Sequence, residues 1–174
     1  FLTSSRPFYQ SSSIMGLMPI PKCIYYAFAQ EHLSEKSLTM PEDVFQSIYD
    51  RFDGVTWYIQ KMLNTLYMLS ERGRTISYDD VDSALKYILD GFSYNYMDVL
   101  SRIPQKQREI LVAIANEGKA RALTGTKFIR KYSLGSASSV QGAVKGLLKS
   151  DFIISENNEW YVYDYFFGLW LQRN

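Results

Sequence analysis

A chain of 174 residues with a net charge of +1 has room for one large domain or two small ones, each with a real core. A single cysteine, Cys23, excludes an internal disulfide. A single histidine, His32, leaves too few parts for a zinc site or for a Ser-His-Asp or Cys-His pair.

No apolar run nears the roughly 18 residues of a membrane span, and no signal-peptide pattern opens the chain. The expectation is a soluble, cytoplasmic protein with no membrane partner. The 14 Tyr and 10 Phe read either as a core built from rings or as rings covering a surface for a missing neighbour. The first residue is Phe1 rather than Met, which leads to the expectation of a fragment of a longer protein.

Residues 1–20, with Pro7, Pro19 and several serines, carry no helical period and read as an extended lead-in. From Pro21 the pattern turns helical, with Ile24, Ala27 and Phe28 as the stripe of a first helix ending near Leu33. Thr39 is placed to cap a second helix whose apolar face is Val44, Phe45, Ile48 and Phe52, and Gly54 breaks it. A third helix carries Ile59, Met62, Leu63 and Leu66 and is expected to stop at Gly73.

Ser77 with Asp80 forms a capping box ahead of a fourth face, Val81, Ala84, Leu85 and Ile88. The carboxylates Asp79, Asp80 and Asp82 then lie at a helix start, where the dipole favours negative charge, and do not read as a catalytic pair. Phe92 to Arg102 continues helical. After Pro104 the spacing predicts helices over 105–117, 124–132 and 137–149, the last capped by Ser136 and burying Val140, Val144, Leu147 and Leu148. Two short strands, Phe152 to Ser155 and Trp160 to Tyr163, flank an Asn pair suited to a tight hairpin. An amphipathic helix over "DYFFGLWLQ" closes the chain. The expected fold is mainly α: a helical bundle followed by a winged helix-turn-helix with a short β-hairpin.

Charge is segregated. Between Arg102 and Lys149 stand ten basic and two acidic residues, a local net charge of +8, against −7 for the remainder. Such a field fits phosphate binding or an acidic protein partner. The helix over 137–149 directs Ser138, Ser139, Gln141, Gly142, Lys145 and Lys149 outward, and the preceding helix adds Lys127, Arg130 and Lys131. These side chains suit base edges and phosphates. The wing opposes that reading, because Glu156 and Glu159 stand at its tip and Asp151 at its base. DNA and protein both stay open as partners.

Five blocks in one order carry a family resemblance: "RPFYQSSSIMGLMPI", "YDRFDGVTWYIQKMLNTLY", "PQKQREILVAIANEG", "SLGSASSVQGAVKGLLKSDFI" and "YVYDYFFGLWL". Together they resemble the C-terminal half of the prokaryotic archaeal-type P-loop ATPases, which are AAA+/STAND-related. The resemblance implies a helical lid over residues 21–102 and a winged-helix domain over 103–174, following a missing ATPase domain that would be a partner. It implies ATP and Mg in the parent protein, no cofactor in this chain, no catalytic residue here, and a nucleotide-switched regulatory and interaction module. The only Gly-Lys pair, Gly118-Lys119, lacks the glycine five residues earlier that a phosphate-cradling loop needs. Gln10 and Ser11 stand where the family often has Gly-Arg, so Arg6 is left as the candidate cofactor contact, against its plain reading as a surface arginine beside a proline. Val55-Thr56 and Tyr165 also stand where the family often has a proline.

Overall fold

The computed structural model describes residues 18–174, and everything below concerns those residues. The expected lead-in lies almost wholly outside them. Helix α1 (Lys22–Ser34) starts behind Pro21, whose fixed φ of −53° sets the entry of the chain. It buries Tyr25, Ala29 and Leu33. The stripe expected from the sequence, Ile24, Ala27 and Phe28, faces outward instead, with Ile24 60% and Phe28 42% exposed. Helix α1 is apolar on two sides, and the inward side is the one whose Tyr25 ring meets Phe45 edge-on at 5.8 Å.

Helix α2 (Glu42–Arg51) buries Val44, Phe45 and Ile48, with Phe52 just beyond it, as the spacing predicts. Its N-terminus is set by Pro41 and not by Thr39. Thr39 pairs with Thr75 in an isolated parallel bridge, accepting from Ile76 N–H at 2.8 Å and donating to Arg74 O at 3.1 Å. That clasp ties the α1–α2 loop to the loop before α4. Gly54 turns the chain at φ +74°, and a Cβ there would lie 2.8 Å from the Tyr49 hydroxyl and 2.9 Å from Pro19. Helix α3 (Thr56–Leu69) buries Ile59, Met62, Leu63 and Leu66 and ends short of Gly73, where Ser70 takes an extended conformation.

The capping box of Ser77 and Asp80 opens α4 (Tyr78–Arg102), whose 25 residues make a rod about 37 Å long. Three further helices follow: α5 (Gln105–Glu117), α6 (Thr126–Lys131) and α7 (Ala137–Lys149). Ser136 caps α7 by accepting from Ser139 N–H, and α7 buries Val140, Val144 and Leu147 with Leu148 half-buried. Helices α5 and α7 approach so closely that a side chain at Gly146 would strike the Gln107 amide. Strands β1 (Ile153–Glu156) and β2 (Glu159–Val162) pair antiparallel around Asn157 and Asn158, both at positive φ as a type I′ turn requires. Ala120 adds a bridge to Trp160. Three helices and this hairpin form a winged helix, and the fold is mainly α.

Helix α8 (Tyr165–Arg173) returns to the first half of the chain. Phe166 is fully buried, with ring centres 5.2 Å from Phe52 and 5.1 Å from Tyr58. Phe167 meets Tyr96 at 4.9 Å, and the Trp170 indole donates to Ser93 Oγ at 3.1 Å. Asp164 caps α8 and also accepts from the hydroxyls of Tyr58 and Tyr96. The α1–α4 bundle and the winged helix therefore share one continuous apolar core. No helix among the described residues is long and apolar enough to cross a membrane.

Candidate functional site

The candidate surface is built on α6 and α7. The Ser136 cap fixes where α7 begins, and its inward apolar positions decide which residues are left outside. All eight side chains named from the sequence are exposed: Lys127, Arg130, Lys131, Ser138, Ser139, Gln141, Lys145 and Lys149. Gly142 is open as well, with nothing near the position a Cβ would take.

Their charges are not equivalent. Lys131 donates to Glu117 at 2.7 Å, and the Tyr132 hydroxyl donates to the same carboxylate oxygen at 2.9 Å. Those bonds, chiefly that from Lys131, hold the Glu117 carboxyl below its usual range, and the Glu117 bond pushes the Lys131 ammonium up. Four other members of the basic stretch are also neutralised: Arg102 by Asp98, Lys106 by Glu109, Lys119 by Asp53 and Arg121 by Glu159. Lys127, Arg130, Lys145 and Lys149 have no ion pair among the described residues. The positive field of α6 and α7 thus rests on four side chains, fewer than the sequence count implies.

The wing carries the opposite sign. Glu156 accepts from the Tyr161 hydroxyl at 2.8 Å, and Glu159 accepts from Arg121. Between the wing and the α2–α3 turn lies a cleft of about 540 Å³ with four tyrosines in its walls, Tyr58, Tyr161, Tyr163 and Tyr165. Its walls come from positions separated by up to about a hundred residues, so the acidic wing is its one trace in the sequence.

Other candidates resolve into local structure. Asp80 belongs to the capping box, where the Ser77 N–H and hydroxyl hold its carboxyl below the usual value, and Asp82 pairs with Arg51 at 3.6 Å. His32 is exposed and edge-on to Phe28. Gly118-Lys119 sits at the C-terminal end of α5, where the helix dipole repels phosphate, and Lys119 is engaged by Asp53. That Gly-Lys pair therefore does not fit a nucleotide's phosphates. No group of three or more His, Cys, Asp or Glu among them could hold a metal ion. Arg6 lies outside the described residues.

A family model described as a probable winged helix domain matches residues 94–173, a span that starts inside α4. Among solved structures the chain is similar to a Walker-type ATPase of Pyrococcus abyssi, with a TM-score of 0.63 and 20% identity. The alignment covers 98% of this chain and 47% of that one, so this chain spans about half the length of that ATPase. At such identity the likeness concerns the fold. No curated protein matches the sequence.

Proposed function

We propose that this chain is the non-catalytic C-terminal portion of a Walker-type ATP-binding protein, serving as a regulatory and interaction module. In this reading residues 21–102 are the lid and 103–174 the winged-helix domain. Nucleotide and Mg are held by a preceding ATPase domain, whose nucleotide state biases where the module docks. The observation that carries the proposal is the shared core. Phe52 and Tyr58 of the bundle pack on Phe166 of α8, so a displacement of the bundle is transmitted to α7 and the wing as a rigid-body movement. Exposed apolar side chains on α1 and α3, Ile24, Phe28 and Trp57, supply surface for a neighbour.

The test is to supply the parent's ATPase domain in trans to this 174-residue chain and measure association by calorimetry with ADP and with a non-hydrolysable ATP analogue. Association that differs several-fold between the two nucleotides is expected. No association in either state overturns the proposal.

A second reading, a DNA-binding winged helix, is favoured by one specific observation: Lys127, Arg130, Lys145 and Lys149 are exposed and lack acidic partners among the described residues. Ser138, Ser139 and Gln141 would then stand near bases and Lys131 near phosphate. Five phosphate contacts, Lys131 included, give a log–log salt slope of about −4.5 in duplex-DNA anisotropy. A salt-independent signal, or none, removes this reading.

A further inference from the structure

We propose that the cleft between the α2–α3 turn and the wing is a docking site for an arginine-bearing segment of a partner protein, its guanidinium set among tyrosine rings and wing carboxylates. This site is separate from the outer face of α7, and the inference does not depend on the ATPase reading.

Three observations converge on it. The first is shape and wall chemistry. The cleft, about 540 Å³, is bounded on one side by Asp53, Val55 and Tyr58 and on the other by Glu156, Glu159 and Tyr161, with Tyr163 and Tyr165 between them. The second is preorganisation. The Tyr165 hydroxyl donates to Asp53 at 2.8 Å, and the Tyr161 hydroxyl donates to Glu156 at 2.8 Å. These two rings are thereby held at their tips, which lowers the cost of ordering the site on binding. Burial first, and then Glu156, pushes the Tyr161 hydroxyl up to about 12, so it stays a neutral donor throughout the physiological range.

The third observation is that the cleft already takes a cation. The Lys119 ammonium lies 5.9 Å from the centre of the Tyr161 ring and 3.1 Å from an Asp53 oxygen. It shows on this molecule the pairing of ring face and carboxylate that a second cation would meet. Three carboxylates in the walls face that one ammonium. Even counting Arg121, which engages one Glu159 oxygen from outside the cleft, the sum stays negative. Such a cleft repels phosphate and nucleic acid.

Guanidinium fits these walls better than ammonium. Its plane stacks on a ring, and its fork of N–H donors meets carboxylate oxygens in pairs. Glu156 has a second oxygen with no partner among the described residues. The acidic wing, an obstacle to DNA binding, gains a purpose here: it faces a basic protein segment.

The test is a titration of the 174-residue chain with the peptide acetyl-Gly-Arg-Gly-Arg-Gly-amide, followed by the ring signals of labelled tyrosine in NMR spectra. Saturable shifts are expected at Tyr161 and Tyr163, with affinity falling several-fold when lysine replaces arginine and vanishing when glutamate does. Tyr163→Ala and Glu156→Gln alter exposed side chains, so the remaining spectrum should report an intact fold while affinity falls about tenfold. The proposal is overturned if millimolar peptide leaves these signals unmoved, if the lysine peptide binds equally, or if both variants bind like the parent.

Discussion

The outer face of α7 and the wing are joined by only a few residues, yet they carry opposite charge and different chemistry. The helix face is polar and basic, built from Ser138, Ser139, Gln141, Lys145 and Lys149 on a single short element. The wing is acidic and aromatic, and its cleft is completed by Asp53 and Tyr58 from the other half of the chain. One face is local and the other is assembled. A winged helix that laid both on one duplex would have matched their signs. On the readings proposed above, the difference calls for two partners, or one partner with two faces.

The largest effect concerns the body that both faces ride on. Phe166→Ala should cost about 3–5 kcal/mol, since the ring is fully buried against Phe52, Trp57 and Tyr58. Urea unfolding followed by circular dichroism and by tryptophan fluorescence should remain a single coincident transition in the parent chain. Two separated transitions would show that bundle and winged helix melt apart, and the rigid relay between them would fail.

A smaller effect separates the two signs. If α7 meets DNA, the pair Lys145→Glu and Lys149→Glu should lower duplex affinity more than tenfold near 0.1 M salt and reduce the salt slope by about two. Glu156→Lys should leave duplex affinity unchanged if the wing serves the proposed cleft and not the duplex. A several-fold gain in anisotropy experiments would instead lay the wing on the duplex and erase the contrast.

The smallest effects test the local devices that set the helices. Ser136→Ala should cost about 1 kcal/mol, by removing the acceptor for the Ser139 N–H at the start of α7. Asp80 carries a carboxyl lowered by bonds from Ser77, so its contribution is present above the unfolded value of about 3.9 and is lost as pH falls through the lower folded value. Asp80→Asn should therefore be less stable than the parent at pH 7, and the gap should narrow in urea titrations carried below about pH 4.

What could be read from the sequence follows the same division. Helices α5 and α7, the Ser136 cap, the capping box and the hairpin depend on neighbours within a few positions, and their residue types announce them. The inward side of α1 does not: Ile24 and Phe28 are as apolar as Tyr25 and Leu33, and only the packing of Tyr25 on Phe45 decides between them. Thr39 looks like a cap because threonine accepts well at helix starts, but its partner is Thr75, 36 residues away. Half of the basic stretch is neutralised, by Asp53, Asp98, Glu109, Glu117 and Glu159, and two of those partners lie far along the chain. The tyrosine cleft needed the same long-range closure before it existed at all.

That closure has a consequence for how the protein is made. Tyr58 and Tyr165 touch across 107 positions of chain, and Phe166, Phe167, Trp170 and Leu171 of α8 are buried, with Phe166 and Phe167 against rings of the α1–α4 bundle. During synthesis the ribosome delivers α8 after all the other elements, so Phe52, Tyr58 and Tyr96 wait with their rings uncovered until it arrives. Until α8 docks, those rings are apolar surface open to aggregation and to chaperones, and the core shared by bundle and winged helix closes only in that step.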